Sequence, residues 1–202
     1  EQVNQMSNKL DKSQFISSFG IELICVSPLM RALNTMSGIL QNQLNVINDN
    51  KISIIAHHQL REWVDTLGDI GTAKSQLIET YNDNIDFSFI DKEFWWNQNI
   101  KCDKDNIDTI ENVTKEKKNN VLDRISSFKH WILQREENNI LVIGHSRWFR
   151  EFVGAMFKLN NCGMMKVNLK GMEIESWEYL DLDKIEKDKD KINNIVKQSI
   201  DQ

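Results

Sequence analysis

"ICVSPLMRALNTM", residues 24–36, contains the chain's single proline and decides the fold class. Ile24, Cys25 and Val26 close an apolar run that begins at Ile21, short and β-branched enough for a buried strand. Ser27 offers a side-chain oxygen to a helix N-terminus, and Pro28 suits a first helical turn, where no N–H is needed. Leu29, Ala32, Leu33 and Met36 follow at helical spacing. The stretch reads as strand, one-residue cap, helix. It sets Arg31 in the first turn, beside the carboxyl end of a strand, where open α/β sheets bind ligands. A cation at a helix N-terminus opposes the dipole, and a bound anion would offset it. A solvated arginine is the plainer alternative, and this stretch alone does not choose between them.

Composition narrows the classes. At 202 residues one α/β domain with a sizeable core is expected. Hydrophobic residues make up 40% and charged residues 27%, as in ordinary globular chains. A net charge of -5 argues against a nucleic-acid partner, so an anionic substrate needs a local positive pocket. Cys25, Cys102 and Cys162 are widely spaced with no CxxC, which fits a reducing, cytoplasmic compartment. No apolar run approaches spanning length, so no membrane partner is expected. The first residue is Glu1 rather than methionine, and further residues are expected upstream of it.

Strand and helix patterns alternate along the chain. Residues 1–19 read as helix, 21–26 as strand, 28–43 as helix and "KISIIAH" (51–57) as strand. An irregular stretch follows, with one helix near 72–81. A long amphipathic helix is expected over about 107–137, with Val121, Ile125, Phe128, Ile132 and Leu133 on one face. "NILVIGH" (139–145) is a buried strand and 146–158 a helix; "MMKVNLKG" (164–171) and "EIESWEYLDL" (173–182) are strands. Residues 183–202 form a charged tail. The alternation implies an α/β fold, a three-layer α/β/α sandwich with a mostly parallel sheet.

Two further stretches carry chemistry. In "VIGHSRWFREF" (142–152), His145 stands at a strand end and Ser146 is placed to cap the next helix. This repeats the geometry around Arg31. If the two strands are neighbours, Arg31 and His145 face one pocket; a lone strand-end histidine is more often structural. "HHQLREW" (57–63) follows the second strand and holds Glu62. A carboxyl group there can protonate a leaving group if nearby negative charge raises its pKa, although a solvated loop glutamate is the simpler view. His57 and His58 are adjacent, a spacing poor for joint metal binding, and no metal or other cofactor is expected. "GDIGTAKS" (68–75) is one residue short of a nucleotide P-loop, with Ala73 at the second glycine and no buried strand before it. It is more readily a helix N-terminus with Lys74 nearby.

Taken in order, "VSPLMRALNT" (26–35), "LRE" (60–62) and "VIGHSRWFRE" (142–151) resemble the histidine phosphatase superfamily, the phosphoglycerate-mutase-like phosphatases. "GDIGTAKSQLIETYNDNIDFSFIDKEFWW" (68–96) looks like the variable insert of a eukaryotic branch, so an insert over about 63–106 is expected within one domain spanning 1–182. The resemblance implies a phosphoglycerate-mutase-like sandwich. It implies that Arg31 and His145 bind the phosphoryl group and that Glu62 is the proton donor; Ser146 and Arg147, where many relatives have small residues, and Lys74 are further candidates for substrate contact.

The family nucleophile is a histidine in an Arg-His-Gly motif, and this sequence has no such motif. "EQVNQM" (1–6) looks like the helix that follows the family's first strand, so the nucleophile segment is expected upstream of Glu1. The expected function is then a phosphomonoester hydrolase with a phosphohistidine intermediate, acting on a phosphorylated small molecule or phosphopeptide. A catalytically inactive phosphate-binding or scaffolding relative is the alternative. A mutase or a P-loop nucleotide binder is less favoured.

Overall fold

The computed structural model describes residues 1–81, 84–96 and 115–183. Three strands, β1 (Leu23–Val26), β2 (Ser53–Ala56) and β3 (Ile140–Ile143), form a parallel sheet in the order β2-β1-β3. β1 is central and buried throughout, which suits its continuous apolar run. Its register pairs Val26 with Ala56 on one side and with Ile143 on the other, so the three carboxyl ends lie level.

Alternation along β1 builds the layers. Ile24 and Val26 join one core cluster with Leu10 of α1 (Gln2–Lys12) and Leu33 and Met36 of α3 (Met30–Leu40). Leu23 and Cys25 join the other, with Val121, Ile125 and Phe128 of α6 (Lys118–Leu133) and Trp148 and Phe152 of α7 (Ser146–Val153). Successive strand residues point to opposite faces, so each face of the sheet is covered by helices. This is the expected three-layer α/β/α sandwich around a parallel sheet.

Several boundaries differ from the sequence reading. The first helix breaks at Gln14, which adopts φ 48°, and resumes as α2 (Phe15–Ser18). The helical run after β1 extends past residue 43, through a 3-10 turn, into α4 (Leu44–Asp49). The expected helix near 72–81 is α5 (Lys74–Tyr81). The helix expected from 107 begins at Lys118; residues 115–117 are not helical, and 97–114 lie outside the described residues. β4 (Met165–Lys170) and β5 (Glu173–Tyr179) make a separate antiparallel hairpin, not an extension of the parallel sheet. Gly171 turns it at φ 58°. The tail expected at 183–202 lies outside the described residues from 184 onward, as does Cys102.

The segment after β2 returns to the free edge of that strand. Asp86 N donates to Ile54 O (2.8 Å), and Ala56 N donates to Asp86 O (2.9 Å), a one-residue parallel bridge. Ile85 and Phe87 beside it are buried. Trp95 and Trp96 close over Gly71, where an added Cβ would stand 2.4 Å from Trp95. Among the described residues no helix is long and apolar enough to cross a membrane.

Candidate functional site

The carboxyl ends of β1 and β3 are adjacent, and their side chains meet. Ser27 N donates to Ile143 O at 2.9 Å, and His145 Nε2 lies 2.8 Å from Ser27 Oγ. Ser27 does not cap a helix directly. Its Oγ accepts from Leu29 N at 3.4 Å, and α3 starts only at Met30, after Leu29 in extended conformation (φ -68°, ψ 131°). A residue before proline disfavours helical backbone, and here its hydroxyl is shared with His145. Pro28 therefore precedes the helix instead of occupying its first turn. Arg31 is still in the first turn.

After β3 the cap is likewise displaced by one residue. His145 itself holds the N-cap position (φ -127°, ψ 143°) and Ser146 is the first helical residue. Ser146 Oγ accepts from Leu159 N at 3.3 Å, holding the segment after α7. Burial pushes the His145 imidazole down to about 3, helped by the charge of Arg31, so the ring is neutral near pH 7.

The guanidinium of Arg31 reaches the loop after β2. Its Nη1 donates to Gly68 O, and its Nη2 pairs with Asp69 Oδ1 at 2.9 Å. The anion that a helix-start arginine invites is thus supplied from within the chain. The other carboxylate oxygen, Asp69 Oδ2, accepts from Asp65 N (3.2 Å), Thr66 N (3.0 Å) and Thr66 Oγ1 (3.0 Å). Loop 65–69 is therefore closed on itself and on Arg31.

Glu62 follows the 3-10 turn His58–Leu60 at the end of β2. Its Oε1 accepts from Trp63 N at 2.9 Å. Burial raises the carboxyl pKa; the Trp63 N–H, Arg147 and Arg31 oppose this, and Asp69 reinforces it. Arg31 and Asp69 act electrostatically on both Glu62 and His145, so these four groups share one neighbourhood. Arg147 borders it. Its guanidinium carbon stands 4.5 Å from the centre of the Trp63 ring, and Nη1 lies 3.4 Å from Asp65 Oδ2.

Beneath the Glu62 loop lies a group the sequence reading missed. Arg61 Nη2 and Arg124 Nε both bond Glu116 Oε1 (2.8 and 2.9 Å), and Arg124 Nη2 bonds Glu116 Oε2 (2.9 Å). Arg124 Nη1 also donates to the carbonyls of Gln59 (2.7 Å) and Arg61 (3.0 Å). Two buried cations share one carboxylate, which leaves a positive excess under a site in a net acidic chain. Arg124 carries the only readable signal: it interrupts the apolar stripe Val121, Ile125, Phe128 at helical spacing. Asp69, outside this trio, has a signal of its own: Thr66 and Asp69 have the three-residue spacing of a capping box, and the Asp69 carboxylate accepts from Thr66 N.

The remaining candidates are held by other contacts. His57 is enclosed by Phe89, Phe128 and Trp131, with ring centroids 4.7–5.2 Å away, and its Nδ1 accepts from Gln59 N. His58 Nδ1 pairs with Phe89 O. Lys74 Nζ donates to Ile90 O at 2.7 Å, and the Glu93 carboxylate takes the Ser75 N–H and hydroxyl at the start of α5. That helix N-terminus is already closed by an internal anion, and a 3-10 turn, Leu67–Asp69, precedes it instead of a strand. The P-loop reading of 68–75 fails on both counts. Among the described residues no group of three or more His, Cys, Asp or Glu side chains is arranged to hold a metal ion.

Comparison with curated proteins finds no match. A protein-family model, the histidine phosphatase superfamily (branch 1), matches residues 11–194. That span takes in the level strand ends, the Ser27–His145 contact, Arg31 and Glu62, and the chain belongs to the histidine phosphatase superfamily, branch 1.

Proposed function

We propose that the chain acts as a phosphomonoester hydrolase that works through a phosphohistidine, with a nucleophilic histidine that is not among its 202 residues. Membership of the superfamily supports phosphatase or mutase-like activity in general. The observation that carries the hydrolase reading is Glu62: a carboxyl group pushed toward its protonated form, in the electrostatic reach of Arg31 and Arg147. A protein that only binds phosphate has no use for a half-buried carboxyl group held toward its protonated form.

In this reaction the nucleophilic histidine nitrogen attacks phosphorus and the P–O bond to the leaving group breaks. Glu62 gives its proton to the departing oxygen. Arg31 and His145 hold the non-bridging oxygens; the neutral His145 donates an N–H and gains basicity as the dianion approaches. Water, deprotonated by Glu62, then attacks phosphorus and releases orthophosphate and the free histidine. The substrate is a phosphorylated small molecule or phosphopeptide, and the free thiol of buried Cys25 suits a reducing, cytoplasmic setting.

An inactive phosphate-binding relative is the second reading. The Arg31–Asp69 ion pair favours it, because the phosphate-facing arginine already has an anion. The deciding measurement is metal-free hydrolysis of an aryl phosphate by the native-length polypeptide and by the 202-residue segment. Turnover is expected only in the former, with 32P label trapped on a histidine. Turnover by the 202-residue segment, abolished by His145→Ala, would place the nucleophile at His145 and overturn the scheme. No turnover and no label in the native-length polypeptide would favour the inactive relative.

A further inference from the structure

Arg31 and Asp69 are 38 residues apart, yet they form an ion pair at 2.9 Å whose carboxylate is braced by three further donors. Arg31 springs from the first turn of α3, and its side chain is 45% exposed. Asp69 belongs to the loop after β2, and its side chain is 12% exposed. A half-exposed arginine samples many rotamers, and ordering it costs up to about 2 kcal/mol of side-chain entropy. Here that ordering is built in. One edge of the guanidinium, Nη1 and Nη2, is held by Gly68 O and Asp69 Oδ1.

We propose that Asp69 is a positioning residue: the closed loop 65–69 holds the Arg31 guanidinium by one edge, so that its remaining N–H groups point at the phosphoryl group. The inference rests on the phosphate-binding role of Arg31 given above. Its force comes from the division of labour on the Asp69 carboxylate. Oδ2 is taken by three donors from Asp65 and Thr66, so the carboxylate cannot swing away, and Oδ1 alone faces Arg31. A group that gates the site by competing with phosphate needs freedom to leave. One fixed from behind by its own loop serves as a rest. Arginine has five N–H donors in a planar fork, so two anchored nitrogens still leave donors for a ligand oxygen.

The same loop holds the arginine on the far side. Asp65, whose N–H donates to Asp69, places its carboxylate 3.4 Å from Arg147 Nη1 and 2.8 Å from Lys115 Nζ. One five-residue segment thus touches arginines from the helices after β1 and after β3. The loop, which varies in length and sequence more readily than a core strand, is in this chain the element that sets the spacing of the cationic groups.

Inorganic phosphate is the probe, titrated into the native-length polypeptide and followed by 31P NMR. Asp69→Asn keeps the shape and removes the charge. It is expected to weaken phosphate binding about tenfold, the worth of one charge-assisted contact. In the Arg31→Lys background, where no planar fork remains to be oriented, the same substitution should change binding by less than about twofold. That non-additivity is the signature of acting through Arg31. Additive losses would mean a merely structural role, and tighter binding by Asp69→Asn would mean competition with phosphate; each overturns the inference. If Asp69→Asn does not fold, Thr66→Val removes one of the three donors behind Oδ2 while keeping both charges, and must weaken binding in the same direction by a smaller factor. Arg31→Ala separates the two levels. Unchanged phosphate binding in Arg31→Ala sinks the role of Arg31 itself, whereas loss there with no effect of Asp69→Asn sinks only the positioning role.

Discussion

His145 Nε2 and Ser27 Oγ lie 2.8 Å apart, joining the carboxyl ends of two paired strands that are 118 residues apart in the chain. The contact orients a buried, neutral imidazole from the side of β1. Ser27→Ala leaves that nitrogen without its partner at a residue only 7% exposed. A loss of about 1–3 kcal/mol in unfolding free energy is expected from the unmet hydrogen bond. Urea unfolding measures it, and a change below about 0.5 kcal/mol would show that the hydroxyl is dispensable to the ring.

How far this site could be read from sequence depended on what kind of contact builds each part. Arg31 and His145 were legible because a strand end followed by a helix start is a local pattern, repeated twice. The electrostatic reach of Arg31 to His145 follows from β1 and β3 being neighbours with level ends. The helix start at Ser27 was misread because its hydroxyl is shared between Leu29 N and a histidine 118 residues away, which no local rule contains. Asp69 has a visible capping spacing, but its pairing with Arg31 is tertiary. The start of α6 was placed too early for a related reason. Glu116 is drawn out of helical geometry, its N–H on Val64 O and its carboxylate on Arg61 and Arg124.

That buried trio gives a stability prediction. Glu116 is the carboxylate between two arginines that are each under 10% exposed. Glu116→Gln leaves both cations buried without an anion, which costs on the order of 3–5 kcal/mol. Chemical denaturation at neutral pH is the test. A loss under about 1 kcal/mol would mean that solvent reaches the pair freely.

Acid should weaken the fold through two histidines. Burial pushes His57 and His145 each down to about 3, from about 6.5 in the unfolded chain. The folded state therefore binds fewer protons between these values, and stability rises with pH across that window. Their contribution is complete above about pH 6.5 and is lost as pH falls toward 3, by about 2 kcal/mol per histidine at pH 5. His57→Asn, which keeps an acceptor near Gln59 N, should flatten the dependence of the urea midpoint between pH 8 and pH 5. An unchanged slope would show that His57 takes up a proton in the folded protein without penalty.

Glu62 gives the most direct test of the chemistry. In the native-length polypeptide, Glu62→Gln removes the transferable proton but keeps volume and an acceptor for Trp63 N. An alkyl alcohol is a poor leaving group and needs that proton in the transition state, whereas nitrophenolate departs largely without it. Phosphoenzyme formation from an alkyl phosphate should therefore slow by about 10²–10⁴-fold, the usual worth of general acid catalysis, and from nitrophenyl phosphate far less. Arg31→Ala should impair both substrates alike, since it acts on phosphoryl charge whatever group departs. Single-turnover quench-flow isolates this step from hydrolysis of the intermediate. The raised pKa of Glu62 adds a pH signature: the alkyl reaction should hold its rate to higher pH than an ordinary glutamate allows, then fall as the carboxyl ionises. Equal losses for both substrates in Glu62→Gln, with no change in the pH profile, would make Glu62 a binding or structural residue and send the search for the acid elsewhere in the loop after β2.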